Sequence, residues 1–131
     1  MTNHRKTKQK EYVLNNLLNR FDHPTVSQIY ADALNEGMKI GEVSIYRILN
    51  NLVEEGKICK IVTKDNVAHF DYVRENHFHL VCNVCNKIID KPITEEFDKS
   101  FSNMVKGFNI LKQDVNFYGI CEECAKKRTS D

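Results

Sequence analysis

Two Cys-x-x-Cys pairs are the strongest chemical signal in this 131-residue sequence. Cys82 and Cys85 form the first pair, and Cys121 and Cys124 form the second. Four thiolates at this spacing can close a tetrahedron around Zn²⁺ without leaving a position for a substrate, so they predict a structural site. Iron held as in rubredoxin would use the same four ligands. The remaining cysteine, Cys59, lies in the segment Ile58-Cys59-Lys60-Ile61 and is interpreted as a small buried hydrophobe in a wing strand.

A second candidate metal site surrounds the closely spaced pair His77 and His79. Alternation along a β-strand places both imidazoles on one face. Asp71 and Asp90 flank the pair in the sequence and could complete a mixed nitrogen and oxygen sphere suited to Fe²⁺, Mn²⁺ or Zn²⁺. Asp71 is the more suggestive carboxylate because residues 70–73 are otherwise apolar. Solvated surface histidines and aspartates are the alternative interpretation.

The first half of the chain predicts three helices followed by a β-hairpin. Apolar residues recur at helical spacing in three segments: 13–21, 29–34 and 43–53. Thr25 and Gly41 precede the second and third segments as helix caps. Two β-rich runs follow, joined by good turn residues: 57–63 and 67–73. Three helices and a two-stranded wing predict a winged helix-turn-helix.

The third predicted helix is the element that would read DNA. In a helix-turn-helix, the second helix of the motif lies in the major groove and its first turns meet base edges. The candidate side chains on this helix are Glu42, Ser44, Tyr46 and Arg47. The basic start of the chain, which includes Lys8 and Lys10, is interpreted either as a phosphate-contacting arm or as a solvated, disordered segment. Winged helices also serve as protein-interaction modules, so fold alone leaves that alternative open.

The second half predicts a small α+β unit with little core of its own. A strand over 77–81 and a helix over 95–106 precede a long β-rich run over 108–118. The buried stripe of that helix is predicted from four apolar residues: Phe97, Phe101, Met104 and Val105. So few core residues suggest dimerisation. The predicted fold class is therefore α+β, with a winged-helix DNA-binding domain over 1–74 and a metal-binding dimerisation domain over 75–131.

Composition limits the classes of protein to which this chain can belong. Nineteen Lys and Arg against 18 Asp and Glu give a formal net charge of +1, and 41% of the residues are hydrophobic. Neither a membrane-length apolar run nor the apolar core of a signal peptide is present in the sequence. We therefore expect a cytoplasmic protein with no membrane partner, whose reduced thiols bind metal. An enzyme is disfavoured because no substrate-binding segment, nucleophile motif or additional general base is evident.

Several stretches of the sequence, in this order, carry a family resemblance: His23-Pro24-Thr25, Val43-Ser44-Ile45-Tyr46-Arg47-Ile48-Leu49, Leu52-Val53-Glu54-Glu55-Gly56, His77-Phe78-His79-Leu80-Val81-Cys82-Asn83-Val84-Cys85 and Tyr118-Gly119-Ile120-Cys121-Glu122-Glu123-Cys124. Together they resemble the ferric uptake regulator family of bacterial metal-dependent repressors over nearly the full chain. The resemblance implies a homodimer that binds palindromic double-stranded DNA when a regulatory metal is bound.

The resemblance also adds a ligand to the second metal site. In the peroxide-sensing subgroup, the histidine of the His-Pro-Thr segment joins two aspartates and the His-x-His pair at Fe²⁺ or Mn²⁺. These positions match five residues of this sequence: His23, Asp71, His77, His79 and Asp90. Aspartate rather than glutamate at position 90 favours peroxide sensing over iron sensing. An iron- or zinc-uptake regulator and a zinc-stabilised interaction module are the alternatives, and His69 is interpreted as a surface residue of the wing.

The predicted mechanism is that one regulatory metal ion binds residues of both halves of the chain. His23 belongs to the DNA-binding half, whereas His77, His79 and Asp90 belong to the dimerisation half. A metal bound by ligands from both halves would fix the angle between each DNA-binding domain and the dimer. The resemblance implies that peroxide releases DNA through local oxidation of a ligating histidine.

Overall fold

The computed structural model describes residues 2–73, 77–111 and 113–129. The chain divides into two compact units, Met1–Val73 and Arg74–Asp131. In the described parts of both units, no helix combines the length and the apolar character needed to cross a bilayer.

Over its described residues, 2–73, the first unit contains three helices and a two-stranded antiparallel sheet. Its elements in chain order are α1 (Thr2–Leu18), α2 (Val26–Asn35), α3 (Glu42–Glu54), β1 (Ile58–Val62) and β2 (Ala68–Tyr72). In the hairpin, Cys59 is opposite Asp71 and Lys60 is opposite Phe70. This order confirms the predicted winged helix-turn-helix. Of the two interpretations of the basic start, disorder is wrong, since α1 already begins at Thr2.

Local signals explain where the second and third helices begin. Thr25 forms a capping box at α2, because its hydroxyl accepts from the Gln28 N–H and the Gln28 side chain accepts from the Thr25 N–H. Helix α3 follows Gly41, which supplies no side-chain cap, and Glu42 in the first turn complements the helix dipole. After α3, Gly56 adopts a left-handed φ of 76°, which suits a residue without a Cβ.

The core of the first unit is one cluster to which all three helices and the hairpin contribute: Val13, Leu17, Ile29, Ala33, Ile40, Ile45, Leu49, Leu52, Ile58 and Phe70. Among the residues of the predicted helical stripes, Phe21, Leu34 and Val43 are exposed by more than half and lie outside this cluster. Phe21 follows the end of α1, and the other two lie beside the buried stripes of their helices.

The described part of the second unit, 77–111 and 113–129, contains a three-stranded sheet and two helices. Its elements in chain order are β3 (His77–Cys82), β4 (Ile88–Pro92), α4 (Glu95–Met104), β5 (Asn116–Gly119) and α5 (Glu122–Thr129). Strand β3 is central, antiparallel to β4 and parallel to β5. Mixed helix and sheet in both units confirm the predicted α+β class.

Besides helix α5, which the sequence signals do not predict, two details of the second unit differ from prediction. Among the described residues of the β-rich run over 108–118, a strand forms only from Asn116, where its pairing with β3 begins opposite His79. A β-rich segment needs a neighbouring strand, and β3 meets this run only at its last residues. The predicted buried stripe of α4 is also wrong, because no residue of α4 is buried and Met104 is 79% exposed. The half-buried rings of Phe97 and Phe101 pack in the aromatic cluster.

Candidate metal-binding sites

The four cysteines of the two Cys-x-x-Cys pairs converge in the second unit. Cys82 ends β3, whereas Cys121 directly precedes α5 and Cys124 lies in its first turn. All four Sγ atoms lie within 4.8 Å of one another, and Cys85 Sγ is 3.9 Å from Cys121 Sγ. Sulfur atoms at about 2.3 Å from a tetrahedral Zn²⁺ are about 3.8 Å apart. The cluster therefore fits a four-thiolate zinc site.

Backbone geometry shapes the turn between the first two cysteines. Asn86 adopts a left-handed φ of 63°, and its N–H donates to the Cys82 carbonyl at 2.9 Å. Asparagine tolerates this conformation better than most residues with a side chain. The Asn83 N–H donates to the Gly119 carbonyl at 2.7 Å, which joins the turn to the end of β5. The two pairs are thus brought together by hydrogen bonds as well as by any shared ion.

The electrostatics of the cluster favour thiolate formation at Cys82. The backbone N–H groups of Cys85 and Cys121 lower the pKa of Cys82 to about 6, and the Val84 N–H adds to the effect. The pKa of Cys124 is instead raised to about 12, chiefly by its hydrogen bond with Cys121 and then by burial. Without a cation, formation of one thiolate therefore opposes deprotonation of the neighbouring thiols. A divalent metal supplies the positive charge that all four need.

The second unit also contains a group of two histidines and a carboxylate. His77 Nε2 lies 3.0 Å from His79 Nε2, and His79 Nε2 lies 3.1 Å from Asp90 Oδ1. The register explains this proximity, because His79 is directly opposite Asp90 in the β3–β4 ladder. Two nitrogens at about 2.1 Å from one metal and at a right angle are about 3.0 Å apart. The group therefore fits part of a metal coordination sphere.

Asn116 is a residue of this group that sequence reasoning missed. Its Oδ1 lies 3.2 Å from His79 Nδ1 and accepts a hydrogen bond when that nitrogen is protonated. In the neutral imidazole, Nε2 is then the nitrogen that carries the lone pair, and it is the atom nearest Asp90. Asn116 belongs to no motif, and only the β3–β5 register places it opposite His79.

The first unit brings His23 and Asp71 together. His23 Nε2 lies 3.6 Å from Asp71 Oδ2, and both side chains are buried. Buried imidazole and carboxylate groups are ligands that Fe²⁺, Mn²⁺ and Zn²⁺ accept. Each unit thus contains a His/carboxylate group made from the residues predicted for the regulatory site.

The predicted DNA contacts lie on two helices of the first unit. Ser44 and Arg47 of α3 border one surface cavity with Lys10 of α1. Tyr46 of α3 is exposed, and Lys60 Nζ of the wing lies 5.9 Å from the centroid of its ring. Lys8 is exposed on α1.

The Lys10 ammonium already has an acidic partner within the first unit. Its Nζ lies 2.6 Å from Glu55 Oε1, and Lys57 Nζ lies 3.4 Å from the other oxygen of the same carboxylate. Lys10 holds the pKa of Glu55 below its usual range, so the carboxylate is charged at neutral pH. A phosphate would therefore compete with Glu55 for Lys10.

Comparison with known proteins gives consistent matches over most of the chain. A model of the ferric uptake regulator family matches residues 1–118. The peroxide operon regulator of Bacillus subtilis is 30% identical over 123 residues, which cover 92% of this chain and 84% of that protein. A peroxide-responsive repressor of Staphylococcus aureus is 29% identical over 123 residues, with coverages of 92% and 82%.

Solved structures match at similar levels. The ferric uptake regulator of Helicobacter pylori, described as having three functional metal binding sites, superposes with a TM-score of 0.76 at 26% identity, covering 90% of this chain and 80% of that one. The peroxide stress regulator of Campylobacter jejuni also superposes with a TM-score of 0.76, at 27% identity and with coverages of 91% and 90%.

Proposed function

Because the chain belongs to the ferric uptake regulator family, we propose that this metal-dependent transcriptional repressor is a peroxide-stress sensor. Family membership confirms the resemblance predicted from the sequence motifs and the expectation of metal cofactors. It also places the chain among transcriptional regulators rather than enzymes.

One observation carries the proposal: all five predicted regulatory ligands occur in compact His/carboxylate groups. His23 lies beside Asp71 in the first unit, and His77 and His79 lie beside Asp90 in the second. We propose that these five side chains bind one regulatory Fe²⁺ or Mn²⁺ ion, with Zn²⁺ as a possible substitute. The peroxide assignment is supported by the names of the two relatives at 29–30% identity and by aspartate at position 90.

The rest of the proposed architecture follows the same family pattern. Cys82, Cys85, Cys121 and Cys124 hold a structural Zn²⁺. Residues 1–74 form the DNA-binding domain and residues 75–131 the metal-binding dimerisation domain of a cytoplasmic homodimer. The DNA contacts are made by five side chains of α1 and α3: Lys8, Lys10, Ser44, Tyr46 and Arg47.

In the proposed mechanism, metal ligands from both domains restrict the orientation of each DNA-binding domain. His23 and Asp71 are rigidly attached to the helices that read DNA, whereas His77, His79 and Asp90 are attached to the dimer. His23, Asp71, His77, His79 and Asp90 would hold one regulatory ion, which would supply a common centre for the two ligand groups. Only some orientations place two α3 helices in successive major grooves about 34 Å apart. By linkage, DNA binding then tightens metal binding by the same factor.

The proposed peroxide response is the loss of one of these ligands. Fe²⁺ at this site supplies the redox chemistry that activates peroxide locally. With Fe²⁺ held by these ligands, one oxygen of hydrogen peroxide would be inserted into a ring C–H bond of His23 or His77, and the other would leave as water. The altered ring no longer holds its domain in the DNA-binding orientation, so the repressor dissociates.

The experiment that tests the regulatory site compares the wild type with His23→Ala in operator binding at increasing Mn²⁺. We expect the variant to lose metal-dependent binding while it keeps its zinc content and its thermal midpoint. Metal-dependent binding by His23→Ala with an unchanged midpoint would show that His23 is not a ligand.

A second experiment separates peroxide sensing from iron sensing, which the Helicobacter pylori match also supports. Iron-loaded protein is treated with peroxide, and mass spectrometry locates any added oxygen. Oxidation confined to His23 or His77, with loss of DNA binding, supports the peroxide sensor. Unmodified histidines and intact DNA binding would favour an iron- or zinc-uptake regulator. An interaction module would show no metal-dependent DNA binding at all.

A further inference from the structure

The backbone of His23 lies in the left-handed region, with a φ of 53°. Few residues with a side chain adopt this conformation, although histidine does so more often than most. The next residue is Pro24, whose own φ is restricted by its ring. Contacts from outside this short segment must therefore hold His23 in place.

Strand β2 provides these contacts through three consecutive residues. His69 Nδ1 lies 2.7 Å from the His23 carbonyl oxygen, and the Phe70 N–H donates to the Pro24 carbonyl at 2.9 Å. Asp71 then places its Oδ2 3.6 Å from His23 Nε2. His69 and Asp71 are two residues apart, so their side chains leave the same face of the strand. His69 therefore contacts the backbone of His23, whereas Asp71 faces its imidazole.

The chemistry of the first contact defines the protonation of His69. A carbonyl oxygen can only accept a hydrogen bond, so Nδ1 of His69 must carry the proton. The side chain is half-buried in β2, and it is not the solvent-facing wing residue expected from the sequence.

We propose that His69 is a positioning residue for the regulatory metal site. Its Nδ1–H holds the His23 carbonyl, keeps the backbone left-handed and thereby presents the His23 imidazole to Asp71. This inference rests on the proposed function, because it assumes that His23 binds the regulatory metal. It adds a residue that the family motifs quoted above do not include.

The expected effect is a weaker apparent affinity for the regulatory metal. Without this hydrogen bond, His23 would occupy the ligating conformation for a smaller fraction of the time, and the apparent Kd rises by the inverse of that fraction. Loss of one net hydrogen bond corresponds to a change of about five- to tenfold. DNA affinity at saturating metal stays unchanged, because the reading helix is untouched.

Two matched variants test the geometry of the donor. In His69→Asn, the amide nitrogen occupies the position of Nδ1, whereas in His69→Gln it lies one bond farther from the backbone, near the position of Nε2. We expect the Mn²⁺ midpoint of operator binding to rise about five- to tenfold for His69→Gln and to stay within about twofold for His69→Asn. Equal midpoints for wild type and both variants would overturn the proposal, as would equal weakening by both variants.

An independent readout uses the zinc-loaded wild type without regulatory metal. Long-range ¹H–¹⁵N NMR should show His69 protonated at Nδ1, and an Nε2–H tautomer would overturn the proposal without any variant. His23→Ala separates this inference from the proposed function. If operator binding by His23→Ala keeps the Mn²⁺ dependence of the wild type, the proposed regulatory site is wrong. If His23→Ala loses this dependence but His69→Gln keeps the wild-type Mn²⁺ midpoint, only the proposed role of His69 is overturned.

Discussion

Removal of zinc from the four-cysteine cluster should unfold the second unit and leave the first unit folded. Within 77–111 and 113–129, the buried apolar side chains are Val81 and the Cys82 and Cys124 thiols. Two of these three are themselves proposed zinc ligands. The first unit instead contains a buried cluster of ten residues that includes no proposed metal ligand.

The magnitudes favour zinc as the larger contribution to the second unit. Full burial of one side chain such as Val81 contributes about 1.5–3 kcal/mol. The rings of Phe78, Phe97, Phe101 and Phe117 pack at centroid distances of 4.9–5.6 Å, and such pairs add about 0.5–1.5 kcal/mol each. Binding of structural Zn²⁺ by small domains contributes about 10–16 kcal/mol at neutral pH. The aromatic cluster alone should therefore be too weak to hold this unit together.

The assay follows both units in one ¹H–¹⁵N NMR spectrum. Zinc is removed with a chelator and a reductant, and loss of metal is verified by elemental analysis. Amide signals of α1–α3 should keep their dispersion, whereas signals of β3–β5 should collapse to random-coil positions and return when Zn²⁺ is added. The variant Cys124→Ser should behave like the zinc-free protein, and Cys59→Ser serves as the matched control because Cys59 lies outside the cluster.

Dispersed β3–β5 signals in verified zinc-free protein would refute the reasoning. That result would mean that the aromatic cluster and the dimer interface suffice for folding. Collapse of both units together would refute it differently, because the buried cluster of the first unit would then depend on the second.

Two further predictions concern ion pairs of the first unit. Glu55→Gln should release the Lys10 ammonium to contact a DNA phosphate. The slope of log DNA affinity against log salt concentration, measured by fluorescence anisotropy, should then become steeper by about one unit per protomer. An unchanged slope would exclude a Lys10–phosphate contact. Arg20→Met removes a bidentate pair whose two N···O distances are 2.8 Å and which lowers the pKa of Asp22. A lowered pKa stabilises the fold above the unfolded value of about 3.9 and ceases to do so as the pH falls through the folded value. Urea titrations should therefore show the wild-type advantage at neutral pH shrinking in acid, and a pH-independent difference would contradict this cause.

Local sequence signals predicted most of the helices and strands. Thr25, with Gln28 three residues later, marks the start of α2, and apolar periodicity marks the buried faces of α2 and α3. Helix α5 was not predicted, because its sequence is mostly charged and has no apolar stripe. Its acidic first turn, from Glu122, and its basic last turn, up to Arg128, match the helix dipole and were the available signal.

The metal ligands divide according to how locally they are determined. The Cys-x-x-Cys pairs and the His77-x-His79 pair follow from short spacings, so the sequence alone identifies them. His23 lies 48 residues before Asp71, and no spacing rule connects them. Their proximity depends on the pairing of β2 with the segment that contains Pro24, which is a tertiary contact. Family resemblance supplied His23, whereas His69 and Asn116 required the structure.

In the proposed mechanism, charge and geometry both change when metals bind, and we expect geometry to be the larger cause of switching. Four thiolates and one Zn²⁺ change the formal charge of the chain from +1 to −1, and one regulatory divalent ion returns it to +1. A dimer thus moves from −2 to +2, which favours approach to DNA but is small against the many phosphates of an operator. In the proposed site, the same ion would be bound by ligands from both units, and a misdirected reading helix would lose all of its base contacts together. Variants that preserve charge but displace His23 should therefore impair DNA binding more than variants that only change surface charge.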